Sequence, residues 1–275
     1  MNRILFERGE LLADGTVVLD DARAVHIRKV LGARVGQSLQ VGMVDGLAGC
    51  GRVLESGPVT VRLDVTLDTQ TPPPWADLIL AMPRPKVLKR LWAQLAALGV
   101  GRIVLITGAR VERDYFATHW IQEPHYRPLL VEGLMQSGNT HLPRVSVEPR
   151  FRPYVEDRLD AAFQDSLRLV AHPEGGVGRP QGALGRHPLL LAVGPEGGWT
   201  PFELKLLEEH QFMRFSLGSR TLRTDTACVA LLSVLGYELS GAKPEEASCV
   251  SRSQEPGTGV VHAREVANRT TRDIK

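Results

Sequence analysis

Two glycine- and arginine-bearing stretches near the C-terminal end of the sequence have residue types that suit ligand binding. The first, VGPEGGWT (193–200), follows an apolar run, and its glycines let backbone groups approach a flat ligand without side-chain collisions. The second, SLGSRTLRTDTA (216–227), holds Arg220 and Arg223, and paired guanidinium groups suit phosphates or a nucleic-acid backbone. Either stretch alone is equally compatible with a tight turn or a capped helix. The two together favour a pocket.

A third short stretch, AHPEGG (171–176), also follows an apolar run. All three therefore come directly after segments that resemble buried strands. In open α/β sheets, ligands bind at the carboxyl ends of the strands. We expect the three loops to meet at one edge of a sheet.

Several other kinds of site are excluded by the motifs that the sequence lacks. No G-x-G-x-x-G follows a strand, no G-x-x-x-x-G-K-[ST] occurs, and no G-x-S-x-G occurs. The eight histidines have no metal-ligand spacing, so we predict no metal site. The cysteines, Cys50, Cys228 and Cys249, form no disulfide or zinc framework.

The elements that carry these loops alternate between strands and helices from residue 77 onward. This alternation predicts an α/β domain with a mostly parallel sheet, and from the residues alone an ordinary doubly wound one. The helix after the first loop has a strong start, because Thr200, Pro201 and Glu203 form a capping box. The predicted strands are ADLILAMP, RIVLIT, SLRLVAHP, PLLLAVGP and FMRFSLG, and the predicted helices include PKVLKRLWAQLAALGV, EPHYRPLLVEGLMQSG, PYVEDRLDAAFQD and TDTACVALLSVLGYEL.

The chain divides into four parts by composition. Residues 1–70 have short valine- and leucine-rich runs between glycine and aspartate turns, with one helical stretch, which predicts a small β-barrel. Residues 71–76 contain three consecutive prolines and predict a stiff linker. The α/β domain follows at 77–240. Residues 241–275 are polar and without periodicity, so we predict a disordered tail.

Composition places the chain among globular proteins. Its 275 residues are 43% hydrophobic and 23% charged, with a formal net charge of only +2. No apolar run is long enough to cross a bilayer, and the charged N-terminus lacks the apolar core of a signal peptide, so we expect a cytoplasmic protein. Basic side chains are nevertheless clustered at Arg23, Arg28, Lys29 and Arg34, a pattern that suits phosphate binding as well as simple solubility.

The sequence from Leu190 to Leu235 resembles the C-terminal signature of the RsmE family. These are bacterial 16S ribosomal RNA uridine-N3 methyltransferases of the SPOUT superfamily. The family pattern combines G-P-E-G-G-[FW] with S-L-G-x-R-I-L-R-x-E-T-A, and its spacing is far more specific than either loop. The chain keeps Gly194 to Gly198, Leu217, Gly218, Arg220, Leu222, Arg223, Thr226 and Ala227. The likeness extends over residues 1–240, and it departs from the family at Ala97, Met135 and Asn139, with a conservative change at Asp225.

The resemblance implies a fold, a cofactor and a set of site residues. The implied fold is α/β, with a C-terminal SPOUT trefoil-knot methyltransferase domain and an N-terminal PUA-like barrel, working as a homodimer on the small ribosomal subunit. S-adenosylmethionine is the implied cofactor. Its implied binding residues are His172, Gly194, Pro195, Glu196, Gly197, Gly198, Ser216, Leu217, Gly218, Leu222, Thr226 and Ala227. Arg220 and Arg223 are the catalytic candidates, and the implied RNA contacts are Arg23, His26, Arg28, Lys29 and Arg34.

Two alternatives remain open from the sequence. The departures at Met135 and Asn139 are compatible with a knot methyltransferase that acts on a different RNA nucleotide. A non-catalytic RNA-binding or ribosome-assembly protein with the same fold is the second alternative. Complete cofactor loops argue against it, because such a protein has no use for two arginines and paired glycines. No residue stands out as a general base.

Overall fold

The first elements of the chain form a five-stranded sheet. The computed structural model describes residues 3–174 and 188–239, so Gly175, Gly176 and the predicted tail at 241–275 lie outside the described residues. The first five strands are β1 (Ile4–Phe6), β2 (Thr16–Leu19), β3 (Ser38–Met43), β4 (Ala48–Ser56) and β5 (Val61–Thr69), with helix α1 (Ala22–Lys29) after β2. Their order in the sheet is β1-β3-β4-β5-β2, and the β1–β3 pairing is parallel whereas the others are antiparallel.

A second sheet has six strands, and all of its pairings are parallel. Its strands are β6 (Ala76–Ala81), β7 (Val100–Ile106), β8 (Arg144–Glu148), β9 (Leu167–Ala171), β10 (Leu189–Val193) and β11 (Met213–Phe215). Their order is β11-β9-β10-β6-β7-β8. The predicted α/β class with a parallel sheet is therefore confirmed. The central strands β6 and β10 are buried on both faces, which explains why they are apolar except for Asp77 in β6.

The described residues contain six further α-helices, of which five lie between strands of this sheet and the last follows β11. They are α2 (Pro85–Ala97), α3 (Glu123–Ser137), α4 (Phe151–Asp157), α5 (Leu159–Ala162), α6 (Pro201–Glu209) and α7 (Thr224–Leu239). Helix α2 buries Leu88, Leu91 and Trp92 at helical spacing. Helix α3 approaches α2 closely at Gly133, where an added Cβ would lie 2.0 Å from the Ala93 carbonyl oxygen. None of the helices in the described part of the chain is both long and apolar enough to cross a membrane.

The segment after α3 joins the two sheets, and residues 1–241 form one compact unit. The Arg3 backbone N–H donates to the Met135 carbonyl at 2.9 Å. The fully buried Thr140 hydroxyl donates to the Gly46 carbonyl at 2.7 Å and lies 2.8 Å from the Thr71 hydroxyl. Asn139, one of the departures from the RsmE pattern, accepts hydrogen bonds from the next two backbone N–H groups. Its carboxamide therefore shapes this junction.

Candidate functional site

The strand order brings three loops together at the carboxyl ends of β11, β9 and β10. They border a cavity of about 370 Å³. The loop after β9 contributes His172 to Glu174, the loop after β10 contributes Gly194 to Trp199, and the loop after β11 contributes Ser216 to Gly218 and Arg220 to Leu222. Helix α7 closes one side with Thr224, Ala227 and Leu231. The expectation that the three loops meet at one sheet edge is thus confirmed.

The loop after β10 owes its shape to glycines that pack against an indole ring. A Cβ on Gly194 would lie 3.0 Å from Trp199 Nε1, and Gly198 has a left-handed φ of 74°. Trp199 is only 3% exposed, and its indole N–H has no hydrogen-bond partner among the described residues. A buried donor without an acceptor is costly. Because Trp199 lines the cavity, a ligand with an acceptor atom can satisfy this donor.

The predicted capping box at the start of α6 is confirmed and holds this loop in place. The Thr200 backbone N–H and hydroxyl donate to Glu203 Oε2 at 2.7 Å and 2.8 Å. The other carboxylate oxygen, Oε1, accepts the Ala109 N–H at 2.7 Å. Glu203 is buried, so a single carboxylate fastens the loop after β10 to the loop after β7.

The loop after β11 is tied to the loop after β9. The His172 backbone N–H donates to the Phe215 carbonyl at 3.1 Å, and the Ser216 hydroxyl lies 3.2 Å from the Pro173 carbonyl oxygen. The Gly218 N–H donates to Ser216 Oγ at 3.1 Å, with a φ of 116° at Gly218. This φ lies in the region that glycine alone adopts readily.

Most of the residues chosen from the sequence for the cofactor site line this cavity. Among the cofactor candidates, Thr226 lies outside the lining. Of the two catalytic candidates, Arg220 lines the cavity and Arg223 does not. Asp225, which follows them, forms an ion pair with Arg90 of α2 at 2.7 Å, and this hydrogen bond is the main reason that the pKa of Asp225 lies below its ordinary value.

Arg110 is a cavity residue that the sequence did not reveal. It lies in the loop after β7, and its guanidinium donates to the Gly197 carbonyl at 2.5 Å. Its side chain also packs against the Gly197 backbone, where an added Cβ would lie 3.2 Å from Arg110 Cδ. No motif surrounds Arg110. The only signal in the sequence was its position after a predicted strand of the same sheet.

The basic residues chosen from the first seventy residues have different environments in and after α1. Arg23 forms ion pairs with Glu10 and Asp21. Arg28 donates from Nε to the Ala24 carbonyl at 3.1 Å and from its terminal nitrogen to the Pro58 carbonyl. His26 Nε2 is buried without a partner among the described residues. Lys29 and Arg34 are exposed. These two therefore present their charge most directly to solvent.

Comparisons with known proteins agree with this arrangement. A family model described as an RNA methyltransferase domain matches residues 70–236. The chain is 29% identical over 243 residues to Ribosomal RNA small subunit methyltransferase E of Treponema pallidum, which covers 86% of this chain and 90% of that protein. It is 27% identical over 234 residues to the protein of the same name from Synechocystis, covering 82% and 74% respectively. The RsmE resemblance drawn from the sequence motifs is confirmed by these relatives.

A solved structure shows that the fold is shared. This is Ribosomal RNA small subunit methyltransferase E from Neisseria gonorrhoeae, bound to S-adenosyl methionine. It aligns with a TM-score of 0.67 at 22% identity, over 86% of this chain and 98% of that chain. The mixed α/β architecture with its parallel sheet is therefore common to both.

Proposed function

Because this chain belongs to the RNA methyltransferase domain family, we propose that it transfers the methyl group of S-adenosylmethionine to N3 of a uridine in 16S ribosomal RNA. The observation that carries the proposal is the cavity formed by the three loops after β9, β10 and β11. Most of the RsmE signature residues line it, with Arg223 and Thr226 outside the lining. Relatives named for methylation of small-subunit ribosomal RNA support the same activity.

The cavity fits the cofactor by its donor set and by its backbone. Glycines at 194, 197 and 198 remove the side chains that would keep a flat adenine away from the loop. The unsatisfied indole N–H of Trp199 offers a donor, and Ser216, Leu217 and Gly218 border the other side. When bound, S-adenosylmethionine supplies a methyl group on a positively charged sulfonium.

Arg220 is the residue that we assign to charge stabilisation. Uracil N3 is a weak imide acid, so negative charge develops on the base as its proton leaves. A guanidinium that is already in place stabilises such charge without reorganisation. Arg220 lines the cavity, which supports this role, and Arg223 is proposed as a second contact for the RNA backbone. The uridine has to leave its stack before N3 becomes accessible.

We also propose the finer architecture that the family implies. Residues 1–70 would form a PUA-like RNA-binding barrel, 71–76 a linker, and 77–240 a trefoil-knot methyltransferase domain that acts as a homodimer in the cytoplasm. The exposed charges of Lys29 and Arg34 support RNA binding by the first part. Arg23 and Arg28 would then act mainly by holding α1 in the position that presents those charges, and His26 stays a proposed RNA contact.

The test is methyl transfer from radiolabelled S-adenosylmethionine to small ribosomal subunits from a strain that lacks N3-uridine methylation. Reverse transcription then maps the product, because a methyl on N3 blocks the pairing edge. We expect one stop at a single 16S uridine. Cofactor binding without incorporation would favour a different RNA target. Absence of cofactor binding would favour a non-catalytic RNA-binding protein.

A further inference from the structure

A second cavity of about 310 Å³ adjoins the first at the carboxyl ends of β6 and β7. The two cavities share Arg110, Pro195, Glu196 and Gly197, so the loop after β10 forms the wall between them. The GPEGG motif supplies one wall of this second cavity, and the other lining residues belong to no motif found in the sequence. A ligand bound in this second cavity would lie next to the proposed cofactor cavity.

The polar groups of this second cavity centre on one carboxylate. Arg84, which caps the start of α2, places Nε 2.9 Å from Glu196 Oε2. Arg110 is bonded to the carbonyl of the next residue, Gly197. No bond to Glu196 Oε1 is found among the residues that the structure describes. The cavity therefore offers a carboxylate acceptor with two guanidinium donors nearby.

Tyr115 adds an aromatic wall beside Arg84. The pKa of the Arg84 guanidinium lies above its ordinary value, first because of the charge of Glu196 and then because of a hydrogen bond with Tyr115. Met82 and Val111 also border the cavity, but both are buried in the core, so Tyr115 is the side chain that a base would meet. A nucleobase that has left its stack packs its face against an aromatic side chain of this kind.

The arrangement of donors and acceptor matches one base in particular. The pairing edge of uracil presents an acceptor, a donor and an acceptor in the order O2, N3–H and O4. A carboxylate with a guanidinium on each side is complementary to that edge. Cytosine presents an amino group in place of O4 and an acceptor at N3, so the same groups would oppose two of its three positions.

We infer that the second cavity receives the uracil base of the RNA substrate, with Glu196 accepting from N3–H and Arg84 and Arg110 donating to the two carbonyl oxygens. This inference rests on the proposed function and deepens it. Glu196 lines both cavities, so a base bound in this way has N3 at the wall shared with the proposed cofactor cavity, which Arg220 lines. Arg84 and Arg110, on the carbonyl oxygens of the base, would then share the stabilisation of its developing charge with Arg220. Arg84 and Arg110 could also attract a phosphate, so the test below compares two nucleotides that carry the same phosphate and differ only in the base.

The experiment compares binding of uridine 5′-monophosphate and cytidine 5′-monophosphate to the full-length protein by nuclear magnetic resonance, without cofactor. We expect the uridine nucleotide to bind about tenfold more tightly, the size of one good bidentate base contact. Arg84→Ala should remove most of that preference. Arg84 lies on the surface, with a side chain 67% exposed, so this variant is expected to fold. Arg84→Lys, which keeps the charge but loses the planar fork, should recover only part of it.

Lys86→Ala is the matched control, because Lys86 is an exposed cation on the same helix and lines neither cavity. Its nucleotide binding should equal that of the unmodified protein. Equal binding of the two nucleotides, no saturable binding of the uridine nucleotide, or an Arg84→Ala variant with unchanged preference would each overturn the inference. Failure to bind S-adenosylmethionine, measured separately by calorimetry, would instead count against the proposed function.

Discussion

At the scale of single residues, the candidate site depends on backbone shape as much as on side-chain chemistry. Gly194 lies against the Trp199 ring, and Gly218 has a φ that other residues adopt only under strain. The sequence identified these glycines because their spacing matches a known signature. It did not identify Arg110 or the unsatisfied Trp199 N–H, because both depend on which loops meet in space.

Gly218→Ala tests whether this backbone conformation is needed. An added Cβ meets nothing within 4 Å, so the cost comes from the φ of 116° alone. We expect the free energy of unfolding to fall by about 1–3 kcal/mol and the dissociation constant for S-adenosylmethionine to rise. Chemical denaturation and calorimetry measure the two effects.

Gly9→Ala is the control for the change at Gly218. Gly9 also has open space around it, and its φ is not positive. This substitution should leave both stability and cofactor affinity nearly unchanged. If Gly218→Ala behaved in the same way as Gly9→Ala, the loop after β11 would be able to relax, and the argument from its backbone would be wrong.

At the scale of elements, the start of helix α6 positions two loops at once. Glu203 accepts hydrogen bonds from Thr200 on its own loop and from Ala109 on the loop after β7. The loop after β7 also carries Arg110, which borders both cavities. A helix cap therefore determines part of the geometry of the candidate site.

We therefore expect Glu203→Ala to destabilise the protein. Removal of the carboxylate leaves buried N–H groups without an acceptor, and each hydrogen bond to a charged group contributes about 1.5–3 kcal/mol. We expect a loss of at least about 2 kcal/mol in the free energy of unfolding, together with weaker cofactor binding. Glu209→Ala, which removes an exposed partner of Lys205 on the same helix, should have little effect. Similar stabilities for the two variants would contradict the proposed role of the cap.

Elements with strong local signals were predictable, and their arrangement was not. The runs that form β6, β9 and β10 were found because buried parallel strands are mostly apolar, whereas β11 has an exposed Met213 and Arg214 in its middle. Strand β8 was missed, because its sequence RVSVE alternates and it pairs with β7 alone in the described sheet. The strand order β11-β9-β10-β6-β7-β8 carries no local signal at all. It came only with the three-dimensional structure.

At the scale of the whole molecule, the two sheets are joined by polar contacts, of which the one between Thr140 and Thr71 is buried. Thr140 bonds to Gly46 and Thr71, and Asp45 accepts the Leu142 N–H at 2.8 Å. We expect residues 1–241 to unfold in a single cooperative transition, because groups on both sides depend on the same junction. The alternative is separate unfolding of the first sheet.

Tryptophan fluorescence and hydrogen exchange can test whether the two sheets unfold together. All four tryptophans lie at or after residue 75, so their fluorescence reports on the second sheet, while hydrogen exchange across β1 to β5 reports on the first. The two midpoints in urea should coincide. Thr140→Val should lower both midpoints together, because the Gly46 carbonyl loses its donor. We expect the free energy of unfolding to fall by about 1–3 kcal/mol. Thr60→Val, at an exposed threonine, is the control, and two separate midpoints in the unmodified protein would contradict the prediction.

The order of the strands has a consequence for synthesis of the chain. Strand β10 pairs with β9 on one side and with β6 on the other, and both are made before it. Until residues 189–193 leave the ribosome, the nascent protein exposes one edge of β6, which is apolar apart from Asp77, and β9 still lacks both of its neighbours, β10 and β11. Unpaired apolar strands of this kind promote aggregation. A chain that stalls before Leu189 is therefore expected to need chaperone protection until translation resumes.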